Sequence, residues 1–375
     1  MQYNNFGNTG IQVSALGFGA MRLPTTGEED DTQVDLEKAV PLLKRGLDLG
    51  INYIDTAWMY LNQTSEIAVG KAIEGYDREK IYISTKNMID TDLKAWRERL
   101  DIQLQRLNTD YIDFYHIHGL QWRVFRKKAV PEGYMKALEQ ARSEGLIRHI
   151  SFSCHDSPQN LMHLIDTGEF SSMLVQNNLL HRMSETAIDH AHQKGMGVAI
   201  MGPVGGGRIE FLSHLKPREG RTVSELALRY VISNPAIHVA LSGMNTMEMI
   251  EENGNTANNI QPLTQIETED IDQMLEQLKG LEDLYCTGCN YCMPCPNGVN
   301  IPVNFMFMNY DRFYDFSRVT DYRKLYNELL KPAGASADSC ADCEECVEKC
   351  PQNIPIPERM QDVAAHFALE GDNKK

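Results

Sequence analysis

Between residue 11 and about residue 280, short runs of β-branched and aromatic residues alternate with longer stretches whose apolar positions recur every three or four residues. The short runs predict strands at 15–19, 51–55, 81–86, 111–118, 147–152, 173–176, 197–201 and 237–241. The longer stretches predict amphipathic helices; in one of them Leu93, Trp96, Leu100, Leu104 and Leu107 form a packing stripe. Strands alternating with helices make an α/β chain with a parallel sheet. Eight such units match the size of a (β/α)8 TIM barrel. An open doubly wound sheet is the alternative. Against it, Gly17 and Gly19 lack the third glycine of a G-x-G-x-x-G turn and the carboxylate about 20 residues further on.

The pattern changes after residue 283. Eight of the nine cysteines follow residue 285, and Cys154 alone precedes it. Between two cysteine runs, 296–339 is rich in aromatics and methionine (Phe305, Met306, Phe307, Met308, Tyr310, Phe313, Tyr314, Phe316) and predicts helices packed around the cysteines. This gives two modules, a barrel at 1–283 and a small, mainly helical cysteine module at 284–375, with Glu370 to Lys375 as a frayed end. Clustered cysteines point to metal in a reducing compartment, not to a disulfide framework. A formal net charge of −16 repels phosphate backbones and anionic lipid, so neither nucleic acid nor membrane is expected as a partner. No run approaches the roughly 18 apolar residues of a membrane helix, and MQYNNFGNTG lacks the parts of a secretory signal, so a cytoplasmic location is expected.

In a barrel, chemistry sits where strands end and βα loops begin. Three predicted strands end in polar residues, Asp55, Lys86 and His118, and Tyr60 stands in the loop after Asp55. A strand-final Lys is costly to desolvate without a partner, and Asp55 supplies the opposite charge. A structural ion pair at the barrel rim is the plainer alternative. Alternation puts His116 and His118 on one face. His118 lies nearer the open end, whereas His116 reads as a satisfied core histidine.

G-F-G-A-M-R at 17–22, Y-I-D-T-A-x-x-Y at 53–60, strand-final Lys86 and D-x-x-x-x-H at 113–118 together resemble the aldo-keto reductase superfamily over residues 7 to about 255. The resemblance implies a (β/α)8 barrel, a tetrad of Asp55, Tyr60, Lys86 and His118, and reduction of a small-molecule carbonyl, aldehyde or ketone. The residue types suit that chemistry. Hydride arriving at a carbonyl carbon leaves an oxygen that must be protonated, and a phenol can donate the proton. A nearby ammonium favours phenolate and brings the tyrosine toward its working range. Asp55 would orient Lys86, and His118, as neutral imidazole, would position the carbonyl oxygen.

The same resemblance implies NADP or NAD. Gly19, Ala20, Met21 and Asp55 belong to the motifs that would face it, and Ser153 and Gln176 match positions that hold the carboxamide. Cys154 stands where the family has Asn and reads as a small buried hydrophobe. Met201 aligns with a position where many relatives stack an aromatic ring. The loop G-P-V-G-G-G-R (Gly202, Pro203, Gly205, Gly207, Arg208) follows the seventh predicted strand, where glycines let backbone N–H groups approach a pyrophosphate. Ser242, Asn245, Thr246, Glu252 and Asn253 would line the adenosine site. That loop carries Glu248, Glu251 and Glu252 but no cation for a 2′-phosphate, so NADPH is not fixed, and Arg208 or Arg221 is the available cation from the other loop.

C-x2-C-x2-C-x2-C-P covers Cys286, Cys289, Cys292 and Cys295, and C-x2-C-x2-C-x3-C-P covers Cys340, Cys343, Cys346 and Cys350. The second is the bacterial ferredoxin spacing, and the first departs from it by one residue. The spacing favours two [4Fe-4S] clusters over four-cysteine zinc, which commonly uses two separated pairs. Resemblance to two-cluster ferredoxins implies crossed ligation: Cys286, Cys289 and Cys292 with Cys350, and Cys340, Cys343 and Cys346 with Cys295. The whole chain resembles an iron-sulfur-containing subgroup of the superfamily. Its first reading is an NAD(P)H-dependent carbonyl reductase with an appended electron-transfer module and a possible redox partner protein. The second is an electron-transfer iron-sulfur protein whose barrel is a docking scaffold without hydride chemistry, and the third a zinc-stabilised reductase. Nicotinamide moves electrons in pairs and clusters move them singly, and no flavin site is legible to bridge the two.

Overall fold

The computed structural model describes residues 1–27, 32–206, 209, 218, 221–277, 286, 288–313 and 322–368. These divide into two compact units, residues 1–204 with 225–264, and residues 205–224 with 265–375.

In the first unit eight parallel strands close into a barrel in chain order: β1 (Leu16–Gly19), β2 (Tyr53–Asp55), β3 (Tyr82–Asn87), β4 (Ile112–Ile117), β5 (Ile147–Cys154), β6 (Ser172–Gln176), β7 (Gly197–Met201) and β8 (Val239–Ser242). All eight predicted runs become barrel strands, and the open sheet is excluded. The reason shows in β4, whose six residues IDFYHI are all buried, as befits a strand covered by helices outside and by the filled interior within. The surrounding helices are α1 (Leu36–Asp48), α2 (Ser65–Ile73), α3 (Leu93–Leu107), α4 (Tyr134–Ser143), α5 (Pro158–Asp166), α6 (Glu185–Gln193), α7 (Val223–Ile232) and α8 (Met247–Asn258).

A two-stranded hairpin, Tyr3–Asn5 with Gln12–Ser14, precedes the barrel, and Phe6 from its turn joins Tyr53, Phe114, Leu174, Ala199, Val239 and Leu241 in an apolar floor. Gly197 permits this contact, because a Cβ there would stand 2.8 Å from the Phe6 ring. Above the floor the interior turns polar, with Asp55, Ser84, Lys86, His116, Ser151, Ser153 and Gln176 all buried. An apolar floor beneath a polar upper layer directs the chemistry to one end.

Helix α3 shows why the interior of this unit is not uniformly apolar. Its N-cap Asp92 accepts from the backbone of Lys94 and Ala95, and Asn108 ends it in the left-handed region at φ 50°. Trp96, Leu100 and Leu107 are buried as the stripe predicts, but Leu93 and Leu104 are only half-buried and Gln103 takes the inner position. Gln103 donates to Glu66 Oε1 at 2.6 Å and to Thr85 Oγ1 at 3.2 Å, so a hydrogen-bond network, not apolar contact, joins α3 to α2 and β3.

The second unit holds α9 (Gln265–Gln277), α10 (Ile301–Phe313), α11 (Tyr322–Leu329) and α12 (Ile356–Phe367). Phe305, Phe307, Met308, Tyr326, Met360 and Phe367 form its core, with Tyr326 stacked on Phe367 at 4.1 Å between ring centroids. Tyr326 also donates to Asn304 Oδ1 at 2.5 Å and accepts from the Ala337 N–H at 2.9 Å, which satisfies its buried hydroxyl. Tyr314 and Phe316 lie outside the described residues. Helix α9 groups with this unit, although a boundary at 283/284 would leave it with the barrel. Arg218 binds Asp270 at 2.6 Å and Glu269 at 3.1 Å, and Arg221 binds Glu267 at 2.7 Å, ion pairs that tie the segment after β7 to α9. Among the described residues no helix is long and apolar enough to cross a membrane.

Candidate active site

Strands β2, β3 and β4 lie side by side, with Asp55 paired in register to Ser84 and Lys86 to His116. Asp55 Oδ1 accepts from Lys86 Nζ at 2.5 Å, and Oδ2 accepts from Ser84 Oγ at 2.7 Å. Lys86 Nζ also donates to the Thr56 carbonyl at 2.6 Å and is 1% exposed, so its charge is fully compensated by protein. Burial pushes the Asp55 carboxyl up from the usual range, while Lys86 and Ser84 pull against it. Ser84 was not anticipated. Its place two residues before Lys86, on the same strand face, is the signal that identifies it.

Tyr60 and His118 complete the arrangement. The Lys86 ammonium lies 4.7 Å from the Tyr60 ring centroid, and the Tyr60 and His118 rings meet edge to face at 6.0 Å. Burial, then the Lys86 charge and the neighbouring His155 and His116, push the His118 imidazole down to about 3, so it is neutral at ordinary pH. The backbone behind Tyr60 is unusual: Leu61, Asn62 and Gln63 hold φ of 50°, 49° and 67°, three successive non-glycine residues in the left-handed region. Asn62 is tied to the Thr32 carbonyl at 2.9 Å and Gln63 to Arg106 at 2.8 Å.

His116 is buried in the core as expected, where the Phe152 backbone is the polar group nearest to a hydrogen bond with its ring; no hydrogen bond of ordinary geometry reaches either ring nitrogen among the described residues. Burial and the Lys86 charge hold it neutral, down to about 3. Asp113, the first residue of the D-x-x-x-x-H motif, lies away from the other four. It bridges Arg78 at 2.7 Å and Arg148 at 3.3 Å and accepts from the Ile83 N–H at 2.9 Å, bracing strands β3, β4 and β5.

The expected nucleotide positions cluster at the same strand ends. Gly19 pairs in register with Asp55 at the end of β1, where Ala20 is buried and Met21 half-buried. Gln176 and Met201 are register partners at the ends of β6 and β7. Ser153 Oγ accepts from the Gly119 N–H at 3.0 Å, bringing the β4 loop against β5. Cys154 is 1% exposed, and burial pushes its thiol up to about 12, in keeping with an inert buried side chain. Gly202 is left-handed, with its carbonyl held by Asn178 at 2.8 Å, and Pro203 is buried. Gly205 is left-handed too but falls in the second unit, and Gly207 and Arg208 lie outside the described residues. Arg221 is committed to Glu267. Ser242 accepts from Asn253 Nδ2 at 3.1 Å, while Asn245 and Glu252 are exposed. Thr246 caps α8 by accepting from the Met249 N–H at 3.3 Å. At the mouth, Trp122 stacks on Phe125 at 5.8 Å and His163 at 5.2 Å, with the Arg126 guanidinium 5.4 Å from its ring.

In the second unit the eight cysteines surround two cavities. Cys286, Cys289, Cys292 and Cys350 line one; Cys295, Cys340, Cys343 and Cys346 line the other, with Cys292 reaching its wall as well. The charges felt by the Cys292 thiol come from Cys286, Cys289 and Cys350, and those felt by Cys346 from Cys340, Cys343 and Cys295. Among the described residues no three His, Cys, Asp or Glu gather tightly enough for a single metal ion. Sulfurs set apart around a cavity suit a cluster several atoms wide.

Comparison with known proteins agrees with both units. Residues 15–216 match the Aldo/keto reductase family and residues 285–354 a 4Fe-4S dicluster domain. The chain is 26% identical to the uncharacterized oxidoreductase YqkF of Bacillus subtilis, over 69% of this chain and 92% of that protein. It is 26% identical to L-galactose dehydrogenase of Arabidopsis thaliana, over 73% and 94%. The solved aldo-keto reductase AKR11C1 of Bacillus halodurans in its holo form superposes with a TM-score of 0.63 at 28% identity, over 73% of this chain and 96% of that one. With a family match across more than half its length, and a barrel whose strand ends carry the motifs in order, the chain belongs to the aldo/keto reductase family and bears a 4Fe-4S dicluster domain toward its C-terminal end.

Proposed function

We propose that the barrel reduces a small-molecule aldehyde or ketone with NADPH or NADH, and that Tyr60 supplies the proton. One observation carries this reading: Tyr60 converges with the Lys86 ammonium and a neutral His118 in a polar layer above an apolar floor. A nicotinamide bound beside them would supply hydride to the carbonyl carbon. The chain's own part is proton management. Asp55 and the Thr56 carbonyl hold Lys86 in place, Lys86 favours the phenolate of Tyr60, and the proton leaves Tyr60 Oη for the carbonyl oxygen as negative charge develops there. The neutral His118 imidazole offers that oxygen an N–H donor without adding a second cation beside Lys86. Ser153, Gln176 and Met201 stand at strand ends where they fit the nicotinamide and its carboxamide, Gly202 and Pro203 fit a pyrophosphate, and Ser242 with Asn253 fits the adenosine end.

The two cysteine sets have the donor chemistry for two [4Fe-4S] clusters with crossed ligation, and bound clusters would supply single electrons. A redox partner protein is the natural source or recipient of those electrons. Replacing Tyr60 by Phe tests the reading. Carbonyl reduction falls by about 10²- to 10⁴-fold with nicotinamide binding and iron content retained. Unchanged carbonyl turnover would return the barrel to the role of a scaffold for electron transfer.

A further inference from the structure

The second cysteine cavity carries a hydrogen-bond donor outside its cysteines. Asn297 lines it, and its Nδ2 donates to Cys343 Sγ at 3.7 Å. A tight turn places this side chain: the Gly298 N–H donates to the Cys295 carbonyl at 3.0 Å, and Gly298 holds φ +80°, where a side chain would be strained. Asn297 is thus fixed two residues beyond the one cysteine that its own run contributes to this set.

The other run repeats the device. Cys350, Pro351, Gln352 and Asn353 make the corresponding turn, with the Asn353 N–H donating to the Cys350 carbonyl at 3.2 Å and Asn353 at φ 54°. Gln352 lines the first cavity, as Asn297 lines the second. Two turns of the same shape therefore each bring a carboxamide to a cysteine cavity.

Cys343 is the one exposed cysteine of the eight. A sulfur at the surface exchanges hydrogen bonds with water, and a donor anchored by a turn replaces that variable partner with a fixed one. Hydrogen bonds to ligating sulfurs stabilise the more negative, reduced state and so help to set the reduction potential. Resting on the iron-sulfur reading above, we infer that Asn297 is a positioning residue that raises the potential of the cluster held by Cys295, Cys340, Cys343 and Cys346, through its bond to Cys343.

The test is an EPR-monitored potentiometric titration of the full-length protein purified anaerobically, with iron and acid-labile sulfide counted first. Asn297→Leu removes the donor, and the nearly isosteric Asn297→Asp removes it and adds a negative charge. In both variants one midpoint potential moves downward, further in Asp, while the other stays at its wild-type value. Wild-type potentials in an iron-replete Asn297→Asp protein overturn the inference and leave the iron-sulfur reading standing, as does an equal shift of both potentials. A wild-type protein free of iron and sulfide overturns the iron-sulfur reading itself, and the inference with it.

Discussion

The Lys86 ammonium donates to Asp55 at 2.5 Å and stands 4.7 Å from the centre of the Tyr60 ring, so one buried charge lies against both a carboxylate of the barrel and the proposed proton donor. The two contacts are separable by mutation. Lys86→Met leaves Asp55 buried without its cation and is expected to cost about 3–5 kcal/mol of stability. Adding Asp55→Asn to that variant recovers part of the loss, because no charge is then stranded, while carbonyl reduction stays abolished. Urea unfolding followed by circular dichroism, beside a turnover assay, measures the two effects.

Acid sensitivity follows from the buried imidazoles. His116 and His118 are held down to about 3 in the folded chain, against 6.5 for a free histidine. The unfolded chain therefore takes up protons that the folded chain refuses. Their stabilising effect is full above pH 6.5 and is lost as pH falls from there toward 3, at about 1.4 kcal/mol per pH unit for each group. His116→Leu flattens the slope of stability against pH by about one proton over that window. Because His118 is already neutral, the rate profile between pH 6 and 8 shows no inflection from it, and an acid limb lost in a His118→Gln variant would contradict this assignment.

The crossed cysteine sets give an arithmetic test. In a Cys286→Ser/Cys350→Ser double variant, crossing places both lost ligands at one site, so iron falls from about eight atoms per chain to about four. Pairing within each run would damage both sites and take the iron toward zero. Iron analysis of anaerobically purified protein distinguishes the two.

The dinucleotide site proposed above can be tested at α8. Glu251 binds Arg45 at 2.6 Å, each about two-fifths exposed, and this neutralises a cation beside the helix whose start would line the adenosine site. Glu251→Gln frees the guanidinium and is expected to improve NADPH binding relative to NADH by about fivefold, the worth of one exposed charge interaction of roughly 1 kcal/mol. Fluorescence titration with the two nucleotides reads the ratio.

The barrel was legible because its strands are wholly buried runs between periodic helices, as in IDFYHI at 112–117. Asp55, Lys86 and His118 were legible because motif order placed them at neighbouring strand ends, and Tyr60 because it follows Asp55 in the same motif. Gln103 was not: a polar residue on the inner face of α3 looks like an error of periodicity until Glu66 and Thr85 are seen to receive its protons. The left-handed run at Leu61, Asn62 and Gln63 carried no glycine to announce it, since the strain is held by tertiary ties to Thr32 and Arg106. Helix α9 shows no composition break from the barrel; its ion pairs with Arg218 and Arg221 join residues about fifty positions apart, a separation that no local pattern announces.

The interleaving of the cysteine runs bears on how the protein is made. The first cavity gains three of its sulfurs by residue 292 but waits for Cys350, which is synthesised some 58 residues later. The second cavity has one of its sulfurs by residue 295 and waits in turn for Cys346. Neither set of four is complete until both runs have been synthesised, so the helices between the runs are made before either cavity can close around a cluster.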